Sequence, residues 1–148
     1  MFDQVINSLN KLLSSTYALY FKTQNYHWNV TGAYSHDVHK IFELQYISLA
    51  KAIDNIAEQI RVHGHIVPAT FKVPSSLSII YECNEVLSWK EMVNDLSQNH
   101  LLLAQLFKEG LEITEKASNQ AINELYIQRI AQHKREAWLL KAIIELKN

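Results

Sequence analysis

The chain has 148 residues, a formal net charge of −1, three glycines and two prolines. This length suits one domain, predicted over residues 1–148, that can bury a hydrophobic core. The near-zero charge excludes a general attraction to polyanions, and no apolar run approaches membrane-spanning length. Cys83 is the only cysteine, which excludes a disulfide framework. Together with a start that lacks the pattern of a cleaved signal, it predicts a cytoplasmic protein.

Two long helices are predicted in the first half of the chain. Apolar side chains recur at helical spacing over residues 3–30, and Gly32 breaks this first helix. A second helix is predicted from about Ser35, which serves as its N-cap, to His63. Gly64 supplies the C-terminal stop of the second helix. The short loop between the two helices predicts an antiparallel hairpin.

The second half of the chain predicts a long connection followed by two more helices. Pro68 and Pro74 bracket a loop, and residues 75–81 are predicted to hold a short helix. The sequence Ser-Trp-Lys-Glu at residues 88–91 has the pattern of a capping box and opens the third long helix. An interruption at residues 118–119 separates it from the fourth. The predicted fold class is therefore all-α, a ferritin-like four-helix bundle with one long crossover that carries a short extra helix.

Four side chains in the first two helices have the ligand types that suit iron. If the turn at residues 31–35 reverses the chain, His27 and His39 come level as neighbours across the hairpin. Asp54 and Glu58 lie one helical turn apart and share a face of the second helix. The sequence thus predicts a histidine pair and a carboxylate pair as candidate metal ligands.

The two pairs cannot bind the same metal within one chain. His39 and Asp54 stand 15 residues apart on one predicted helix, which is about 22 Å along its axis. Two antiparallel copies of that helix, crossing near residues 47–50 about a two-fold axis, bring His39 of one chain to Asp54 and Glu58 of the other. The spacing therefore predicts a metal site between subunits.

Other interpretations of the histidines are structural. A single histidine on a helix is more often structural or exposed than a metal ligand, and His36 is expected to be exposed. The same interpretation applies to four others: His63, His65, His100 and His133. For His27 and His39, the alternative to metal binding is a buried polar network at a dimer interface. The chain lacks the Glu-x-x-His pattern of intrachain di-iron sites.

The segment from Lys22 to Gly32 reads Lys-Thr-Gln-Asn-Tyr-His-Trp-Asn-Val-Thr-Gly. It resembles the signature of the Dps family, the ferritin-like DNA-binding proteins from starved cells. The resemblance continues at residues 39–43, at residues 54–61 and in the Pro-Ala-Thr turn at residues 68–70. It extends through the capping box to residues 133–138 and so covers most of the chain.

The resemblance implies a hollow homo-oligomer of twelve subunits that acts as a ferroxidase and an iron store. Such a shell oxidises Fe(II), usually with hydrogen peroxide, at sites between subunits that take two iron ions each. It stores the ferric mineral inside and protects DNA from oxidative damage. Zinc is expected as a competitor for the same His and carboxylate ligands.

Carried over residue by residue, the resemblance assigns each candidate ligand a place in that site. His27 and His39 come from one subunit, with Glu43 beside them. Asp54 and Glu58 come from the partner subunit, and Glu58 is the expected bridging carboxylate. Trp28 lies next to the metals, either as an easily oxidised ring or as an interface packing residue.

The sequence leaves open a different function: a nucleoid protein that coats DNA non-specifically, with metal binding secondary. Family members often bind DNA through a Lys/Arg-rich terminus, and this chain shows none, so DNA binding is expected to be weak. Lys134 and Arg135, repeated twelve times in a shell, could still supply some affinity. The expected pore region, residues 112–124, is less acidic than the family pattern. A shell used for adhesion or signalling is also left open, whereas a metal-free helical module does not explain the ligand spacing.

Overall fold

Regular secondary structure in the described part of the chain is entirely helical. The computed structural model describes the backbone of residues 2–146 and the side chains of residues 3–145. The helices are α1 (Phe2–Asn29), α2 (Ser35–Val62), α3 (Lys72–Leu77), α4 (Trp89–Lys116) and α5 (Gln120–Leu146). The predicted all-α bundle, with a long crossover that carries a short helix, is therefore confirmed. The domain boundary at 1–148 stays a prediction, because Met1, Lys147 and Asn148 lie outside the described residues.

The four long helices pack around a shared apolar core. α1 contacts α2, α3 and α4, while α4 and α5 form the other hairpin. Fully buried side chains include Leu9 of α1, Phe42 of α2, Phe107 of α4 and Tyr126 of α5. Burial of such apolar stripes, more than intrinsic helix propensity, stabilises long amphipathic helices. None of the helices in residues 2–146 is long and apolar enough to cross a membrane.

Two glycines with positive φ follow the C-terminal ends of α1 and α2. Gly32 has φ +105° between α1 and α2, and Gly64 has φ +82° directly after α2. Glycine adopts this left-handed region without the steric cost that other residues meet. The amides of Gly64 and His65 donate to the carbonyls of Arg61 and Ile60, which closes the last turn of α2. Both predicted helix ends are therefore confirmed.

The start of α2 differs from its prediction by one residue. Ser35 is the first helical residue, and the N-cap is Tyr34, whose side chain makes no capping hydrogen bond. The amide of Ser35 donates to the carbonyl of Gly32 at 3.1 Å, so the tight turn itself leads into the helix. At α4 the predicted capping box is present. Ser88 Oγ accepts from the Glu91 amide and the Glu91 carboxylate accepts from the Ser88 amide.

The short helix of the crossover is displaced from its predicted position. It was predicted at residues 75–81, but α3 spans Lys72–Leu77 and includes Pro74 in its first turn. Proline is tolerated there because its missing N–H has no acceptor within the first turn of a helix. Ser78 has an extended backbone with ψ 141°, which ends the helix. Pro74 therefore lies in the first turn of the helix that it was expected to precede.

A partly buried ion pair joins α1 to α4 close to the end of α1. Lys22 is 8% exposed, and its Nζ lies 3.0 Å from Asp95 Oδ2 and 2.9 Å from Asn99 Oδ1. Tyr26 donates its hydroxyl to the same Asp95 oxygen at 2.6 Å. Burial and this hydrogen bond raise the pKa of Tyr26 above its usual value. Since a buried charge is costly without a partner, these contacts fix the helical position from which His27 projects.

Candidate metal site

The α1–α2 turn brings two imidazole rings face to face. His27 lies in the last turn of α1 and His39 lies near the start of α2. Their ring centroids are 3.7 Å apart and their planes differ by 19°. The hairpin geometry expected from the sequence is therefore present, with the two residues as direct neighbours.

Each imidazole is held by the backbone of the other residue. His27 Nδ1 lies 2.8 Å from the His39 carbonyl oxygen, and His39 Nδ1 lies 2.7 Å from the His27 carbonyl oxygen. A carbonyl oxygen can only accept, so each Nδ1 carries a hydrogen. In the neutral rings both Nε2 atoms therefore carry the lone pair. A hydrogen bond that fixes one ring nitrogen and leaves the other for a metal is typical of ligating histidines.

The two rings differ in exposure. His27 is 7% exposed, whereas His39 is exposed at the surface of α2. Glu43 follows His39 by one helical turn and is half-buried. Its Oε2 accepts from Lys40 Nζ at 3.2 Å across an exposed i,i+3 pair, which is weak in water. Glu43 thus lies one helical turn from His39, and its ion pair with Lys40 can be broken at small cost.

The carboxylate pair lies at the other end of the same helix face. Asp54 and Glu58 are one turn apart on α2 and both are exposed. The rise along α2 from His39 to Asp54 is about 22 Å. Within the described residues, no group of three or more His, Cys, Asp or Glu side chains is close enough to hold a metal ion. Within one chain the histidine pair and the carboxylate pair are therefore separate.

Exposed apolar side chains lie on α2 between the histidine pair and the carboxylate pair. Leu44 is 59% exposed and Ile47 is 45% exposed. Ile47 lies midway along α2 between His39 and the two carboxylates. Trp28, in the last turn of α1, is 67% exposed. These exposed side chains form an apolar surface that a second helix can cover.

Two further histidines form a cluster in the bundle core, which the sequence did not reveal as a pair. His100 Nδ1 of α4 lies 2.9 Å from His133 Nδ1 of α5, and Arg129 donates to His133 Nε2 at 3.1 Å. Because a guanidinium only donates, His133 carries its hydrogen on Nδ1 and donates it to His100. The hydrogen of His100 is then on Nε2, which is buried and has no partner among the described residues.

Burial keeps the two histidines of this cluster neutral. It lowers the pKa of His100 to about 3 and holds the pKa of His133 well below its usual value, with the charge of Arg129 adding to both effects. Burial also lowers the pKa of Arg129 to about 10, which the charge of Glu136 opposes. The i,i+4 spacing of Arg129 and His133 was the available sequence signal, but it does not identify the partner on α4.

Two other histidines, His63 and His36, have structural and surface positions. His63 donates from Nδ1 to the Gln59 carbonyl and accepts at Nε2 from the Asn119 amide, both at 2.7 Å. Both ring nitrogens of His63 are thus used to attach the end of α2 to the α4–α5 turn. His36 is exposed at the start of α2, as expected from the sequence.

Comparison with known proteins identifies the family of this chain. A family model described as a ferritin-like domain matches residues 6–148. DNA protection during starvation protein 2 of Bacillus anthracis is 30% identical over 144 residues, which cover 97% of this chain and 99% of that protein. The chain belongs to the Dps family of ferritin-like proteins.

Solved structures of Dps proteins share the fold. A Dps protein from Bacillus brevis is 26% identical, with a TM-score of 0.91, and the match covers 95% of this chain and 94% of that chain. Dps from Vibrio cholerae O1, described as a member of a broad superfamily of ferritin-like diiron-carboxylate proteins, is 24% identical. Its TM-score is 0.92, with coverage of 96% and 89%. Dps family membership supports iron storage and DNA protection as the general role of this chain.

Proposed function

We propose that this Dps-family protein is a ferroxidase and iron store that oxidises Fe(II) with hydrogen peroxide at sites shared by two-fold-related subunits. The main support for this proposal is the His27–His39 pair, whose reciprocal backbone hydrogen bonds leave both Nε2 lone pairs for a metal. The proposal includes a hollow dodecamer that retains the ferric mineral. It also includes a cytoplasmic location, which the single free Cys83 supports.

A two-fold contact along α2 joins complementary half-sites. If two α2 helices cross in antiparallel fashion at Ile47, His39 of one subunit comes level with Asp54 and Glu58 of the other. The same operation places a second, identical site at the other end of the contact. The exposed apolar side chains of Leu44 and Ile47 lie where the helices meet. The distance between His39 and the two carboxylates along α2 prevents a site within one chain, and a site shared by two antiparallel α2 helices requires it.

The ligand chemistry suits oxidation of iron as a substrate. The Nε2 atoms of His27 and His39 are borderline ligands for Fe(II), whereas Asp54 and Glu58 supply hard anionic oxygens that favour the ferric product. Glu58 is proposed as the bridge between the two iron ions, with Glu43 as an additional oxygen ligand. Two Fe(II), one hydrogen peroxide and two protons give two Fe(III) and two waters. A paired two-electron step avoids release of hydroxyl radical.

Zinc can occupy the same ligands, since imidazole and carboxylate also suit Zn(II). Bound zinc would block iron oxidation because it has no redox chemistry. Trp28 is proposed to lie beside the shared site, where its exposed ring is either covered by the partner or oxidised in place of other groups.

The test is stopped-flow oxidation of Fe(II) by the assembled apoprotein, with peroxide and with oxygen in parallel. The double variant His27→Asn, His39→Asn retains a donor at each ring position and removes both Nε2 ligands. The exposed His36→Asn is the matched control. We expect fast peroxide-driven oxidation in the wild type and control, and its loss in the double variant with the shell intact. Unchanged kinetics in the double variant would reject the site.

DNA coating is a secondary candidate, favoured only by the adjacent cations Lys134 and Arg135, which are both exposed on α5. Phosphate contacts of this kind lose affinity steeply as salt rises. A gel shift at physiological salt tests it, with Lys134→Gln, Arg135→Gln as the variant. Tight binding that this variant abolishes would make DNA coating the main role.

A further inference from the structure

A continuous line of aromatic rings leads away from the histidine pair along the α1–α2 contact. The Tyr46 ring lies edge-on to His27, with centroids 5.2 Å apart. Tyr46 meets Tyr20 at 6.0 Å, and Tyr20 meets Tyr17 at 6.3 Å, both in T-shaped geometry. All three distances fall within the range of about 4.5–7 Å for directly interacting rings. Three phenols are therefore connected in series to one candidate ligand.

The inner end of this line belongs to the same helix face as the site. Tyr46 follows His39 by seven residues and Glu43 by three, so all three side chains project from one face of α2. Tyr46 is half-buried. No hydrogen bond to its hydroxyl is found in the part of the chain that the structure describes. Its phenol group therefore has no evident structural use there, since phenylalanine would pack the same ring.

The outer end of the line opens to the surface. Tyr17 and Phe21 line a cavity of about 340 Å³ together with Phe71. Phe21 and Phe71 have ring centroids 6.0 Å apart and are 47% and 84% exposed. Tyr20 and Tyr17 are half-buried, and the Tyr20 hydroxyl accepts from the Gln24 amide at 3.0 Å. The series thus runs from the histidine pair to a place where its last phenol approaches solvent.

We propose that Tyr46, Tyr20 and Tyr17 form a redox relay that supplies one electron when peroxide meets a site holding a single Fe(II). This inference rests on the proposed ferroxidase function. One Fe(II), hydrogen peroxide and a proton give Fe(III), water and a hydroxyl radical. The radical takes the hydrogen atom of the Tyr46 hydroxyl, which gives a second water and a tyrosyl radical. Peroxide is then fully reduced without free hydroxyl radical leaving the site.

The relay stores the oxidising equivalent until more iron arrives. Transfer of a hydrogen atom from Tyr20 to Tyr46 restores the first phenol and moves the radical one ring outward, and Tyr17 repeats the step. The next Fe(II) returns one electron, and a proton from solvent restores the phenol. The sum is again two Fe(II), one peroxide and two protons to two Fe(III) and two waters. Movement away from His27 protects the ligand itself from oxidation.

The test is freeze-quench electron paramagnetic resonance after peroxide is mixed with assembled apoprotein that carries less than one Fe(II) per site. We expect a tyrosyl radical in the wild type and its loss in Tyr46→Phe, which retains the ring and its packing. Tyr20→Phe should retain a radical confined to Tyr46 and shorten its lifetime. Tyr81→Phe is the matched control, because Tyr81 is 86% exposed and outside the series. A spin trap added in parallel should capture more hydroxyl radical from Tyr46→Phe than from the control.

The outcomes separate the relay from the function on which it rests. If the wild type oxidises two Fe(II) per peroxide at full loading but gives no tyrosyl radical at low loading, the relay alone is rejected. A radical that persists in Tyr46→Phe, or that is a tryptophanyl radical abolished by Trp28→Phe, also rejects it. If the wild type does not accelerate iron oxidation at all, the proposed function fails and the relay fails with it.

Discussion

His27 and His39 exchange hydrogen bonds across the α1–α2 hairpin, each ring donating from Nδ1 to the other residue's backbone carbonyl. The same contacts therefore close the hairpin and set the tautomer that leaves Nε2 for a metal. Structure and ligand chemistry are coupled at this pair. Substitutions that retain a hydrogen-bond donor at the Nδ1 position and remove Nε2 separate the structural role from the ligand role.

Replacement of His39 by Asn or Ala distinguishes the two roles. Asn can still donate to the His27 carbonyl, whereas Ala leaves that carbonyl without its donor. Both variants should lose peroxide-driven iron oxidation. The free energy of unfolding of His39→Ala should be lower than that of His39→Asn by about 1 kcal/mol, the typical contribution of one hydrogen bond. Thermal unfolding at fixed protein concentration measures it, and equal unfolding temperatures for the two variants would contradict the structural role.

Gly110 of α4 lies where an added side chain would meet both α1 and α5. A Cβ added there would lie 2.7 Å from Ser8 Oγ of α1 and 2.8 Å from Tyr126 Cε2 of α5. Gly110→Ala should therefore destabilise the bundle by about 1–3 kcal/mol through overpacking, although alanine is the better helix former. Lys108→Ala, at an exposed position of the same helix, is the control. A higher unfolding temperature for Gly110→Ala would show that the helices adjust freely.

The His100–His133 pair predicts a pH dependence of stability. Burial depresses the folded-state pKa of both, to about 3 for His100, below the ordinary value of 6.5. Below pH 6.5 the unfolded chain thus binds more protons than the folded chain. The contribution of the neutral pair to the free energy of unfolding is therefore fully present above pH 6.5 and is lost as pH falls toward the folded-state pKa. His100→Gln should flatten the slope between about pH 6.5 and pH 5, above the range where carboxylates titrate. The exposed His36→Asn should leave it unchanged, and an equal slope in His100→Gln would contradict the account.

Local signals in the sequence were sufficient for most of the fold. Gly32, Gly64 and the Ser88 capping box each act through their own backbone conformation or hydrogen bonds, so their effects are visible without tertiary information. The position of α3 was wrong because Pro74 can either precede a helix or occupy its first turn, and only packing against α1 selects between these.

The candidate site could be predicted only in part. The spacing of His27 and His39 across a turn was enough to expect them as neighbours, but their reciprocal backbone contacts depend on how closely α1 and α2 approach. The His100–His133 pair joins residues 33 apart on two helices, and a single sequence gives no register between them. The shared site and the roles of Asp54 and Glu58 remain predictions, because they depend on a second subunit.

The most direct test of a shared site is complementation between two inactive variants. One carries His27→Asn and His39→Asn, and the other carries Asp54→Asn and Glu58→Gln; each removes one half-site from both ends of the α2 contact. In a mixed dimer one site loses both halves and the other regains both, so random reassembly should restore about one quarter of wild-type peroxide-driven iron oxidation. The account predicts this recovery after the variants are dissociated and reassembled together. A mixture as inactive as either variant alone, in shells shown to contain both, would contradict a site built between subunits.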